Sequence, residues 1–581
     1  MKPDLSSLTA DHRFLFFAGK GGVGKTTCAA ATALLETQPV LAISLDPAHS
    51  MRDVLGAEKV RGLEVVEFDA RAAFAGFLRR HQEHLGAIAD RGTYLDEEDI
   101  RGLLDLSLPG LHEIMGLLEL GALAAKPEPR RIIVDLPPTG HALRLFDVSR
   151  AFDQVLGALD LMQDKHRFAV TSLTRRYRPD QIDAFLESLQ AQCVAARRTL
   201  LEDGSFVLVC RPEPAVLAET ERLASRLRTL GASIAALIVN TAEPGEDVSL
   251  PASLAGMKRL DLPHHRRPPI GQAALKNLAQ PDRAPPRPAS NGGGLAPLLD
   301  DPRRLVIFAG KGGVGKTTMA CATSLALARR NARVSVVLVS IDPAHSLADV
   351  LDEDLSKPPA GHQNLTAVEL DPDHDWREWS EQAQGVFQGL AGATGGDPVY
   401  DRQIAEQIAR IEPAGLDELR AATAVIDLLD EDPDRFVVVD SAPTGHLLRF
   451  LEAPGLVIAW SRELMHLLLK YDLATRLKDL SEELLSLSRK SKRLEALLRD
   501  PEQCEFAVVT LDQPVVLAET DRLVGRLVAS GFPLRHVVVN RRFAGDGDDG
   551  LHGRWPGVDV ICVSDRGRAP RGQAALEELA A

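Results

Sequence analysis

Short apolar runs alternate along the chain with longer amphipathic stretches. In the first half the runs are FLFFAG, VLAISLD, RIIVDL, SFVLVC and AALIVN; in the second they are LVIFAG, SVVLVSID, FVVVD, FAVVT and HVVVN. Near-continuous runs of β-branched residues between helical patterns predict strands of a parallel sheet buried on both faces. The expected fold is α/β, with a doubly wound sheet made twice. Two longer segments in each half, about 72–126 and 142–204, then about 376–430 and 447–504, read as purely helical. ELMHLLLKYDLATRLKDLSEELLSLSRKSKRLEALL, for example, carries apolar residues at three- and four-residue spacing. Such helices either pack on the sheet or build a helical subdomain that meets a client, and Leu464–Leu485 could supply an apolar face for one.

The two sets of runs belong to a duplication. The loop FAGKGGVGKTT starts at Phe17 and recurs unchanged at Phe308. SLDPAHS is matched by SIDPAHS, VDLPPTGH by VDSAPTGH, and PAVLAETERL by PVVLAETDRL, in the same order. The offset is 291 residues from Lys25 to Lys316, 305 from Asp135 to Asp440 and 300 from Glu219 to Glu519. A period this long describes a repeated domain with loop insertions rather than a solenoid. Residues 280–302, rich in Pro, Gly, Ala and Asn and without apolar periodicity, read as a flexible linker. The expected domains are 1–279 and 303–581.

Each loop fits the phosphate-binding pattern and stands between a strand and a helical stretch. In the first half it comprises Gly19, Gly21, Gly22, Gly24, Lys25, Thr26 and Thr27. Its counterparts are Gly310, Gly312, Gly313, Gly315, Lys316, Thr317 and Thr318. Glycines let backbone N–H groups turn toward phosphate oxygens, and the following helix N-terminus favours negative charge. Lys25 and Lys316 are expected on the β- and γ-phosphates, Thr26 and Thr317 on Mg2+. Asp135 and Asp440 close the strands RIIVD and FVVVD and are expected to hold the same ion. Asp46 and Asp342 end their own runs before Pro-Ala-His-Ser, where a carboxylate near the γ-phosphate can orient the attacking water.

The second lysine of each loop, Lys20 or Lys311, resembles the deviant phosphate loop of dimeric P-loop ATPases, in which that lysine reaches across to the partner's nucleotide. The resemblance implies an internal pseudo-dimer, with Lys20 serving the second site and Lys311 the first. The ordered set GKGGVGKTT, DPAHS, PTGH and AET[ED]RL goes further: it resembles the arsenite-pump and tail-anchored-protein targeting ATPase family over most of both halves, and the tandem format is similar to the arsenite-pump members. The family implies ATP hydrolysis with Mg2+ by a cytoplasmic motor at the membrane periphery. Its partner would be an integral-membrane pump, with arsenite or antimonite efflux as one outcome. The alternative is a chaperone or targeting factor for membrane proteins with an apolar helix. By the same resemblance His141 and His446 occupy the histidine of the segment that couples nucleotide state to client, and Asn240 and Asn540 lie near adenine. The loops Pro263–Gly271 and Val563–Gly572 would cover the base.

Two departures from the family pattern stand out. Leu136-Pro137 replaces the Ser441-Ala442 of the second half, and proline stiffens that segment. The metalloid cysteines of the pump ATPases would fall near Gly110 and Gly415, yet no cysteine lies between Cys28 and Cys193 or between Cys321 and Cys504. A soft As(III) or Sb(III) ion wants thiolates. The zinc-binding CxxC of the targeting ATPases is missing as well.

Composition narrows the rest. A formal net charge of −15 argues against a broad nucleic-acid surface. The six scattered cysteines read as free thiols. No apolar run approaches the roughly 20 residues of a membrane span, and MKPDLSSLTADHRF lacks the order of a signal peptide. A positioning ATPase would want a terminal amphipathic membrane helix, and GQAALEELAA is short and acidic. Nothing demands the second small substrate of a kinase or ligase.

Overall fold

A computed structural model describes residues 5, 12–46, 51–56, 58–92, 111–126, 130–137, 139–242, 249–265, 268–281, 294–342, 347–355, 358–359, 361–370, 416–441, 444–470, 478–542, 550–566 and 570–580. The first half contributes β1 (Phe14–Ala18), β2 (Val40–Ser44), β3 (Leu63–Glu67), β4 (Arg131–Asp135), β5 (Gly204–Cys210), β6 (Ser233–Ala242) and β7 (Arg259–Pro263). They form one sheet in the order β3-β2-β4-β1-β5-β6-β7, and every pairing is parallel. The second half repeats this with β8 (Leu305–Ala309), β9 (Val336–Ser340), β10 (Leu365–Glu369), β11 (Phe436–Asp440), β12 (Cys504–Leu511), β13 (Leu534–Arg542) and β14 (Asp559–Ser564). Its order, β10-β9-β11-β8-β12-β13-β14, matches position for position, again all parallel.

The ten apolar runs are the central strands. All five residues of β1, β2, β8 and β9 are buried, as expected of strands covered on both faces. The four outer strands β3, β7, β10 and β14 alternate or expose part of their length. The helical stretches resolve into Ala70–Gly92, Leu111–Ala125, Thr139–Thr174 and Gln181–Arg198 in the first half, the last ending in a π-helical turn at Thr199–Asp203. In the second half they are Leu416–Glu431, Thr444–Lys470 and Lys478–Arg499. Much of the expected helical run from 376 lies outside the described residues.

Leu295, Leu298 and Leu299, at the end of the segment expected as linker, are buried in the core of the second half. The remainder of that segment, 282–293, lies outside the described residues.

Contacts join the halves among the described residues. The phosphate loops touch: a Cβ built on Gly22 would lie 2.5 Å from the Gly312 carbonyl oxygen, and one on Gly312 would lie 2.9 Å from the Gly21 Cα. Val515, on the helix Pro514–Ala529 of the second half, packs against the core of the first. Arg522 on that same helix pairs with Asp53 at 2.9 Å, on the short helix Met51–Leu55. The two sheets thus meet loop to loop, at the carboxyl ends of their central strands.

Candidate active site

Parallel strands leave their C-terminal ends on one edge, and the sequence-chosen residues gather there. β1 lies between β4 and β5, so the loop after β1 stands beside Asp135, whose register partner on β1 is Phe17. Asp135 is also in register with Ser44 at the end of β2. Asp46 follows two residues later. The second half repeats this with Asp440 beside Phe308 and Ser340.

The loop geometry needs glycine. Gly24 and Gly315, which cap the helices Lys25–Leu35 and Lys316–Arg330, have φ of 97° and 102°. Gly22 and Gly313 have φ of 79° and 81°. These are left-handed conformations that β-carbons oppose. Lys25 Nζ turns back onto the Lys20 carbonyl at 3.1 Å, and Lys316 onto the Lys311 carbonyl at 3.2 Å. Thr27 and Thr318 follow, half-buried, on the first helical turn.

Thr26 donates its hydroxyl hydrogen to Asp135 Oδ2 at 2.7 Å, and Thr317 to Asp440 Oδ2 at 2.8 Å. Both carboxylates are fully buried, and the other oxygen of each, Oδ1, has no hydrogen-bond partner among the described residues. Burial pushes both carboxyls up to about 7. Asp46 adds to the rise at Asp135 while Lys25 opposes it. At Asp440, Lys316 opposes and Asp342 adds. A hydroxyl beside a buried, under-satisfied carboxylate oxygen is the hard-oxygen donor set a divalent cation prefers, so the residues fit Mg2+.

The two lysines expected to cross between halves lie where their charge reaches the opposite site. Burial lowers the pKa of Lys25, Asp46, Asp135 and Glu219 counter it, and Lys311 of the other half lowers it further. Lys316 responds likewise to Lys20, and Lys20 also acts on Asp440. Each of these lysines pairs with a buried glutamate of its own half, Lys20 with Glu219 at 3.2 Å and Lys311 with Glu519 at 2.7 Å.

Sequence alone gave Glu219 and Glu519 no chemistry; only the recurrence of AET[ED]RL marked them. Asn240 and Asn540 have a role that spacing could not show. Their side-chain amides donate to the carbonyls of Val23 and Val314, both at 2.8 Å, and lie against Gly24 and Gly315. They brace the phosphate loops from behind. Gly271 and Gly572, at the ends of the loops expected over the base, donate their N–H to Val54 and Val350, each at 2.9 Å. That ties them to the helices following Asp46 and Asp342. The side chains of His141 and His446, and Gly110 and Gly415, lie outside the described residues.

The sequence model of the anion-transporting ATPase family matches residues 12–258 and again 303–556. The chain belongs to that family. It is similar to an arsenical pump-driving ATPase of Escherichia coli, 28% identical over 91% of this chain and 89% of the relative. It is similar also to ATPase ARSA1 of Chlamydomonas reinhardtii, 27% identical over 91% of this chain and 79% of the relative. ATPase GET3B of Arabidopsis thaliana is 31% identical over 41% of this chain and 64% of its own length. As a member of the anion-transporting ATPases the chain is an ATP-hydrolysing enzyme with two tandem P-loop units. Among the described residues no helix is long and apolar enough to cross a membrane.

Proposed function

We propose that the chain hydrolyses ATP at two sites facing each other across the junction of its halves, and uses the cycle to drive a membrane-protein partner. The contact of the two phosphate loops carries this reading. Loop N–H groups with Lys25 or Lys316 bind the β- and γ-phosphates. Asp46 or Asp342 orients the attacking water. Lys311 delivers its cation to the first site and Lys20 to the second, stabilising charge as the phosphoryl group transfers. Thr26 with Asp135, and Thr317 with Asp440, would hold Mg2+, which neutralises phosphate charge when bound.

Thiol chemistry argues against direct capture of a soft metalloid by cysteine. Cys28, Cys193, Cys210, Cys321 and Cys504 are buried on separate helices and strands, and Cys562 is half-buried in β14. Burial pushes the thiols of Cys28, Cys193 and Cys210 up to about 12 and also raises those of Cys321 and Cys504, so thiolates are disfavoured. Large apolar side chains instead stand exposed on the helical layers: Phe168, Leu173 and Val194 in the first half, Leu469 and Leu485 in the second. These support the reading of an apolar protein segment as client.

ATP turnover should be measured for the full chain alone, with antimonite, and with a detergent-held membrane protein bearing one apolar helix. The helix-bearing protein is expected to change turnover several-fold and antimonite to leave it unchanged. Activation by antimonite alone would overturn the client reading. Full activity in Lys20→Ala and Lys311→Ala would overturn the crossing-lysine mechanism.

A further inference from the structure

Glu519 lies where three parts of the machinery meet. It sits on the helix Pro514–Ala529, 4% exposed. One carboxylate oxygen, Oε2, pairs with Lys311 at 2.7 Å. The other, Oε1, accepts the Thr444 hydroxyl hydrogen at 3.2 Å. Thr444 opens the helix Thr444–Lys470, four residues past Asp440 of the second site. Lys311, by contrast, stands next to Gly312 in the loop that touches Gly21 and Gly22 of the first site, where its charge bears on Lys25. Three residues beyond Glu519, on the same face of the helix, Arg522 reaches Asp53 across the junction. Asp53 belongs to the short helix that follows Asp46 of the first site.

A buried carboxylate needs its partners, because an unpaired charge there is strongly disfavoured. If the segment after Asp440 moves, Glu519 loses or gains the Thr444 bond, and its hold on Lys311 changes with it. The helix also carries any such shift to Asp53 through Arg522. The first half repeats the pair, with Glu219 on Lys20 at 3.2 Å.

We propose that Glu219 and Glu519 are positioning residues for the two crossing lysines, and that Glu519 transmits the nucleotide state of the second site to the first. The proposal rests on the crossing-lysine reading above. Glu519 aims the ammonium group of Lys311 and lets the Thr444 segment bias that aim.

The test is a mutant cycle on the full chain, reading kcat and KM for ATP. Glu519→Gln keeps the shape and the Thr444 contact but removes the charge that holds Lys311. It is expected to lower kcat about tenfold with KM changed less than about twofold, because a positioned cation acts chiefly in the transition state. In a Lys311→Ala background the same substitution should have no further effect. Thr444→Val is expected to lower single-turnover hydrolysis at the first site about threefold, and to lose that effect when Lys316→Ala prevents nucleotide binding at the second.

If Lys311→Ala leaves kcat unchanged, the crossing-lysine reading fails. If Lys311→Ala lowers kcat and Glu519→Gln still lowers it tenfold more, that reading stands and the positioning role is overturned. A Thr444→Val effect that persists with Lys316→Ala overturns the transmission. Should Glu519→Gln not fold, Glu219→Gln with Lys20→Ala runs the same cycle in the other direction.

Discussion

A methyl group at Gly22 would have to enter the opposite phosphate loop. Its Cβ would sit 2.5 Å from the Gly312 carbonyl oxygen and 2.9 Å from the Gly313 Cα, on a residue already at φ 79°. Backbone cannot yield as a flexible side-chain tip can, so Gly22→Ala should push the loops apart. The expected outcome is a fall in kcat of at least about tenfold with the secondary structure intact, since misplacement of about 1 Å in an active site can have a hundredfold effect. Steady-state ATPase assays beside far-UV circular dichroism check this, and unchanged turnover would show that the loops need not touch. These glycines were legible in the sequence, because their spacing and strand–helix context describe a phosphate loop without any contact being known. Glu219, Glu519 and the bracing by Asn240 and Asn540 were not. Their phosphate-loop partners lie more than 190 positions away in the chain, and no local pattern encodes such a partner.

The helix Gln181–Arg198 shows what local rules do and do not specify. Asp180 caps it, accepting N–H bonds from Ile182 and Asp183, and the Asp183 side chain accepts the Asp180 N–H at 2.7 Å to complete a capping box. Asp183 also takes the Arg167 guanidinium at 2.7 Å and the Tyr177 hydroxyl, from and just beyond the helix Thr139–Thr174. Burial works against its charged form. Hydrogen bonds from Tyr177, the Asp180 N–H, Arg167 and Gln163 outweigh that, holding the carboxyl well below the usual range. A carboxyl depressed on folding stabilises fully above its unfolded pKa of about 3.9, and the stability is lost as pH falls below that value. Asp183→Asn should therefore destabilise the first half by about 2 kcal/mol near neutral pH. The gap in melting temperature between the two proteins should shrink as pH is lowered below about 4. Thermal melts from pH 3 to pH 8 check this, and a gap independent of pH would deny the carboxylate its role. Among strands, sequence reading found the inner five of each sheet, where burial on both faces forces continuous apolar runs. The outer strands LEVVE, RLDLP, LTAVE and DVICVS are half-covered, so their alternation merges with loop composition.

At the scale of the whole molecule, two units of the same strand order meet through their phosphate loops, and one peptide chain joins them. Leu295, Leu298 and Leu299 fasten the end of the connecting segment into the second core. A pair of separate subunits that must meet to complete their sites obeys mass action: dilution empties the active species, and any activator can work simply by promoting encounter. Tethering makes the encounter intramolecular, and short tethers raise the effective concentration to the order of millimolar. Turnover per chain should then stay constant on dilution across the nanomolar to micromolar range, as enzyme-dilution assays can measure; a fall at low concentration would show that the working pair forms between chains. Where turnover is independent of dilution, encounter is no control point, and a partner's lever on this ATPase becomes how its two halves are posed, not whether they find one another.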